Sequence, residues 1–514
     1  MPNRFVTLAR NENQALGLGR FAIDFLAGRL GEPSDAVFRR TELFHADAVA
    51  CGVSAIAAGT NAPTLLRREA LEYVVDPVSI APRHRATCFG STVSVRPEKA
   101  VVANCAAVRE WDANGTNFGY NPALGHVAGE FGHNDYYPVV VAAAQLAGCD
   151  GRQTIRAMIL LDEIRGRLAE VFALRKYKID HVVHGAIASA VVYAAMLGAT
   201  AEQIESAVGT VVAHYIPYRA IRAGHQLSDS KGASAALSAE VAVLSAQRAM
   251  RGFVGPADVF RNPEAVFCLN EKPARPNESP FDLVLATEGD DFAVMGMHFK
   301  LGLYEHQSAG AIAGLIDLLA ANPRLLDDPA AITRIVIAIY EPAFSIIGDP
   351  AKRDPRTRQS ADHSMVYIVG RLLAKALRTK QVGWGELMLM PEDYDDAALA
   401  DPLTRELMAK IDFRHGGAEY DAKYPDGIPT SLDVEHATLG RLSSGLVMYP
   451  AGHSRDTRHD LGGLLSHKFR RLASLGVRDA DGLWQRLDRL GERNVDEIAW
   501  LYDFEILGAE PRTS

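Results

Sequence analysis

From Trp111 to Tyr137 the chain reads WDANGTNFGYNPALGHVAGEFGHNDYY, a stretch that fits neither a helical nor a strand period. It holds Asp112, Asn114, Thr116, Asn117, His126, Glu130, His133, Asn134 and Asp135, interleaved with five glycines and several aromatic residues. Apolar, helix-like runs flank it on both sides, so any fold must carry this polar segment between packed helices. Long structureless segments are uncommon inside compact domains, and those that occur tend to carry function. We therefore expect a ligand-facing loop. The plain alternative is an Ω-loop whose aromatic residues pack on one another.

The surrounding sequence predicts helices over residues 11–30, 36–59, 63–74 and 98–109, the last delivering the chain to the loop. Pro138 suits the first turn of the next helix and Gly148 its end. Helices follow over 150–173, 183–198, 201–215 and 231–252. Residues 271–290 bring three prolines and mixed charge, the mark of a domain boundary. Beyond it, Phe292–Leu301, Ile332–Tyr340 and Gly445–Tyr449 read as strands, alternating with helices at 308–321, 364–377 and 403–411. Leu461–Leu475 and 480–507 return to helix. The expected fold is mainly α with an α+β second domain. An all-helical domain (1–285) is completed by C-terminal helices (456–514), and an α+β lid (286–455) stands between.

A formal net charge of −9 without a basic run argues against nucleic acid or an anionic membrane as partner. The five cysteines are widely spaced and include no CxxC pair, which suits a reducing cytoplasm and disfavours an iron–sulfur cluster or structural zinc. No apolar run reaches the ~18–20 residues that span a bilayer, and no export signal is expected.

Four clusters could carry chemistry: Asp112, Thr116 and His133 in the loop; Ser228 to Lys231; Lys300, Glu305 and His306; and Asp362, His363 and Tyr367. Lys231 at a helix start opposes the helix dipole, which hints at an anion there, although a solvated lysine explains it equally well. GxxxxGK[ST], GxSxG, HExxH and a clear GxGxxG before a helix are all absent.

The clusters fall in the order, and near the wording, of the MmgE/PrpD family. Asp112 to Thr116 resembles its D-x-N-D-T, and Gly132 to Asp135 its G-H-P-S-D. Leu227 to Gly232 is similar to L-S-x-x-K-G, Phe299 to His306 to F-K-x-x-P…H, and Asp362 to Tyr367 to the segment around H-S-x-x-Y. Tyr449 to His453 and Lys468-Phe469 match Y-P-x-G-H and K-F. Departures fall at Gly115, where the family has a second Asp, at Asn134, where it has Pro, and at the missing Pro of F-K-x-x-P.

The resemblance, over about residues 95–475, implies a helical domain plus an α+β lid with the site between them. It implies proton transfer next to a carboxylate on a di- or tricarboxylate. The leading expectation is a metal-independent, cofactor-free hydro-lyase acting on 2-methylcitrate or a related hydroxy-polycarboxylate, working as a cytoplasmic homodimer. Alternatives are decarboxylation of a cis-aconitate-like substrate, epimerisation of an iminodisuccinate-like one, or a silent carboxylate-binding homologue. In this scheme Lys231 and His306 hold carboxylates, and His133 and Asp112 handle the proton and hydroxyl. Thr116 and Tyr367 supply hydrogen bonds, and Asn134, Ser228 and Lys300 join the substrate contacts.

Overall fold

A computed structural model of the chain describes residues 4–75, 85–222 and 226–508. Part of the irregular passage expected at 77–97 lies outside the described residues.

Among the described residues, nine helices longer than ten residues build the first part: α1 (Gln14–Leu26), α2 (Asp35–Ala57), α3 (Asn61–Glu72), α4 (Pro97–Arg109), α5 (Tyr137–Ala147), α6 (Gly151–Val171), α7 (Val182–Met196), α8 (Ala201–His214) and α9 (Asp229–Met250). Each lies within a few residues of its predicted range, because local signals fix the ends. Ser34 accepts a hydrogen bond from the Val37 amide at the start of α2. Reciprocal capping boxes, Asp150 with Gln153 and Thr200 with Gln203, open α6 and α8. Gly148, at φ +67°, ends α5 in the left-handed region that glycine adopts without strain.

The helices pack through alanines, so their backbones approach closely; α7 and α9 lie together, as do α4 and α9. Gly185 on α7 is the extreme case, since a Cβ there would meet the Tyr136 ring at 2.0 Å. That ring lies at the exit of the polar loop, so α7 fixes where the loop ends.

The strand Phe5–Leu8 pairs antiparallel with Leu283–Ala286, tying the chain's start to the segment expected as a boundary. Beyond it stands one four-stranded sheet in the order Gly440–Ser443, Thr430–His436, Ile332–Ile339, Ile411–His415, antiparallel except for the last pair. Helix Ala309–Ala321 packs on its Thr430–His436 strand and helix Met365–Thr379 packs on that helix, giving the α+β second domain. Leu461–Ala473 returns to pack on α2. Among the described residues no single helix is long and apolar enough to cross a membrane.

Three expectations are corrected. Phe292–Leu301 is not a strand: Ala293–Gly296 forms a 3₁₀ turn, and among the described residues its β-bridge is that of His298 to Thr116. Its alternating apolar residues, Phe292, Val294, Phe299 and Leu301, are all buried within the core rather than on one face of a sheet. Gly445–Tyr449 makes a single bridge, Val447 to Thr430, after a turn at Gly445 (φ +66°). The tail 480–507 is not one helix: Ala480–Leu487 stops before Arg489, at φ +51°, and only Val495–Ala499 follows as α-helix.

Candidate active site

The polar loop folds into a short two-stranded ladder, Thr116–Asn117 against Gly132–His133, in which Thr116 is the partner of His133. The Thr116 hydroxyl donates to the Gly132 carbonyl at 2.8 Å. Asn114 ties the exit by donating to the Asp135 carboxylate (2.6 Å) and the Asn134 carbonyl (2.8 Å). Lys468 grips the entrance from below, donating to the Ala113 carbonyl at 2.6 Å and pairing with Asp47 of α2 at 2.6 Å. The loop thus forms a bonded shelf although its sequence has no period, because the ladder, Asn114 and Lys468 tie its two ends.

A cavity of ≈310 Å³ opens over this shelf. Arg109, Asp112, Thr116, Phe118, Phe131 and His133 reach it from the loop and the end of α4, and His181, Arg219, Arg222, Leu227 and Lys231 from later parts of the helical domain. Glu305, His306, Gln307, Lys352 and His363 come from the α+β part.

Asp112 is the hub. It sits at φ +51°, buried, with Lys300 donating to its Oδ1 at 2.5 Å and to its carbonyl at 2.9 Å. Arg109 pairs with the same oxygen, while His363 Nε2 lies 3.1 Å from Oδ2 and Lys231 Nζ 3.9 Å. Burial alone would raise its pKa; Arg109, Lys300 and Lys231 outweigh that and hold the carboxyl well below the usual range. Lys231 also donates to Asp362 at 3.2 Å, and Asp362 faces His363 Nδ1 at 2.5 Å. Burial lowers the Lys300 pKa to about 8 against the pull of Asp112. Burial, aided by Lys231, holds His363 down to about 4 despite its two carboxylate neighbours.

The other imidazoles that line the cavity are pushed toward the neutral form. Burial, then Arg109 and Lys300, pushes His133 well below the ordinary value, and burial and Lys300 do the same for His306. The His133 and His181 rings stand 5.2 Å apart, and Arg222 donates to His181 Nε2 at 3.2 Å. An arginine can only donate, so that nitrogen carries the lone pair and Nδ1 the proton. The Glu305 carboxyl, which faces the cavity, is moved upward: burial raises its pKa to about 7, against hydrogen bonds from Ser308 and the Gln307 amide.

Asp112, Thr116, His133, Lys231 and His306 thus meet at one cavity, with Lys300 directly behind Asp112. The other three sit elsewhere. Tyr367 donates its hydroxyl to the Asp393 carbonyl at 2.6 Å and does not line the cavity. Ser228 is exposed at the start of α9, where the neighbouring Leu227 faces the cavity instead. Asn134 is buried behind the ladder, its amide 3.5 Å from the Phe44 carbonyl. Gly115 is explained in the same place: a Cβ there would come within 2.4 Å of the Phe44 ring, which stacks on Phe299 at 3.8 Å. The space for a side chain at 115 is filled by that stack.

Sequence reasoning missed Arg109, His181, Arg219, Arg222 and Lys352. Arg109 was open to inference, standing three residues before Asp112 at the end of α4. The others had no local signal. His126, in the middle of the same loop, is buried and bonded to Glu170 at 3.0 Å, with its backbone bridged to Asn121. It does not line the cavity.

Ligand atoms of Asp112, Asp362 and His363 lie within 4.8 Å of one another, close enough to suggest a metal. The same oxygens already face Lys231, Lys300 and Arg109, so a divalent ion would have to enter against three cations. The donor set does not fit a metal. Turnover is expected to survive EDTA; loss of activity with EDTA, restored by a divalent metal, would overturn this.

Two family models match the chain, the MmgE/PrpD N-terminal domain over residues 24–276 and the MmgE/PrpD C-terminal domain over 306–486. The chain is similar to the 2-methylcitrate dehydratases of Cupriavidus necator (26% identical, over 77% of this chain and 79% of that protein) and Salmonella typhi (24%, over 75% and 79%). The match to the 2-methylcitrate dehydratase of Escherichia coli K12, 24% identical, covers 59% of this chain and 60% of that protein.

Proposed function

Since the chain belongs to the MmgE/PrpD family, we propose that it is a metal-independent hydro-lyase that dehydrates 2-methylcitrate or a closely related hydroxy-polycarboxylate. The observation that carries this reading is the cavity's pairing of neutral bases with a protonatable acid among fixed cations. Removing a proton next to a carboxylate needs a base with a free lone pair, and neutral His133 offers one on the cavity shelf. Charge then grows on the substrate carboxylate, and Lys231 and Arg109 lie beside it already oriented by Asp112 and Asp362. The departing hydroxide needs a proton, and Glu305 at about 7 holds one near neutrality. Asp112, flanked by three cations and deeply ionised, is a poor proton shuttle; its role here is to hold Arg109, Lys300 and Lys231 in place.

Incubation with 2-methylcitrate, citrate, cis-aconitate and iminodisuccinate, with products read by NMR, tests the reading. An alkene product with loss of water from a hydroxy acid is expected; release of CO₂ or inversion alone would replace dehydration by decarboxylation or epimerisation. Because Glu305 must be protonated to act as the acid, the rate should fall as pH rises through about 7. Glu305→Gln should abolish that descending limb together with most of the rate. A descending limb that persists unchanged in the variant would remove Glu305 from the mechanism.

A further inference from the structure

Five cationic side chains line the cavity: Arg109, Arg219, Arg222, Lys231 and Lys352. Three are matched by carboxylates, Arg109 by Asp112, Lys231 by Asp362, and Arg222 by Asp180 at 2.5 Å. Arg219 and Lys352 make no ion pair with any described residue. Both are partly buried, and burial lowers the pKa of each, Arg219 being further repelled by Arg222. Glu305 and Asp349 attract Lys352, and Asp180 and Glu130 attract Arg219, but none of these carboxyls comes within ion-pair distance, and Glu305 holds its proton near pH 7. Two partly desolvated cations that face one cavity without an ion-pair partner are stabilised when an anion arrives between them.

Their places in the fold matter as much as their charge. Arg219 lies on the turn Arg219–Arg222 of the helical domain, and Lys352 on the turn Pro350–Lys352 of the α+β part. The two neighbourhoods are laced together nearby, the Arg356 amide donating to Gln226 Oε1 at 3.0 Å and the Leu227 amide to Ser360 Oγ at 2.9 Å. An anion between Arg219 and Lys352 would therefore touch both parts of the molecule.

We propose that Arg219 and Lys352 form a second carboxylate seat, distinct from the Arg109–Lys231 side of the cavity, which makes the protein select tricarboxylates over dicarboxylates. This rests on the reading of the cavity as a polycarboxylate site and names the residues that set the number of carboxylates.

The test is calorimetric binding of two unreactive probes, propane-1,2,3-tricarboxylate and glutarate, to the wild type, Arg219→Gln and Lys352→Met, with circular dichroism to confirm folding. A charge-assisted contact to a carboxylate is lost in each variant, so tricarboxylate binding should weaken by about tenfold or more while glutarate binding changes less than about twofold. Arg219→Lys should recover part of the loss. Equal weakening of both probes, or none, overturns the seat. Binding does not depend on turnover, which separates the two readings. Selective weakening with no turnover of any panel compound leaves the seat and removes the dehydratase. Turnover with unchanged discrimination in both variants removes the seat alone.

Discussion

Asp112→Ala is expected to destabilise the protein by about 3–5 kcal/mol and to abolish turnover, because the substitution leaves Arg109, Lys300 and Lys231 buried around a missing charge. Breaking one partner of a buried ionic cluster costs more than the cluster contributes when intact, since the remaining ions are left desolvated. Two observations make this site severe. Lys300 would lose its ion-pair partner, keeping only the carbonyl of residue 112, and Arg109 would keep only Asp135, 3.7 Å away. Urea unfolding monitored by circular dichroism measures the first effect, and the product assay the second. A variant as stable as the wild type would mean that the cations relax to other partners.

The same carboxyl gives a pH dependence of definite sign. Its folded pKa lies well below the ordinary value, so its stabilisation is fully present above about pH 4 and is lost as pH falls through the folded value.

His133→Ala should lower the rate by about 10² to 10⁴ with folding intact, the size of effect typical of a lost general acid or base. The comparison is His126→Ala in the same loop, expected to cost less than about tenfold in rate. His126 faces Glu170, which keeps two 3.0 Å hydrogen bonds from Arg167 when the imidazole goes, so neither the cavity nor a buried charge is left unsupported. His133 instead occupies the ladder position paired with Thr116, and its ring faces His181 across the cavity shelf. Parallel kinetics on the two variants decide the matter; a larger loss at His126 would place the proton chemistry on the wrong histidine.

The helical domain was legible because its signals are local. Cap residues, a first-turn proline and a glycine stop act within one turn of chain, so α1 to α9 could be placed from sequence. The strands were harder to place. Ile332–Ile339 could be read from its β-branched run, whereas Thr430–His436, with only Leu432 and Val434 apolar, is held as a strand by pairing with Ile332–Ile339 on one side and Gly440–Ser443 on the other. Phe292–Leu301 failed for the opposite reason, since an apolar alternation there serves burial on all sides rather than a sheet face.

By itself the sequence determined the order of the clusters, the helical scaffold and the unusual loop, since each depends on neighbours in the chain or on a pattern carried by the chain. Tertiary structure alone decided which of those residues meet. Lys300 and Asp112 are 188 positions apart and Lys231 and Asp362 are 131 apart, and no sequence period records such pairings. It also sorted look-alike polar residues by what they bond: Tyr367 to a carbonyl outside the cavity, Asn134 to the back of the ladder, and Arg219 and Lys352 to no carboxylate among the described residues. The physical reason is desolvation. A charged side chain acquires a shifted pKa, a fixed tautomer or an unmet charge only when a distant part of the chain removes water from it, and that event is set by packing rather than by spacing.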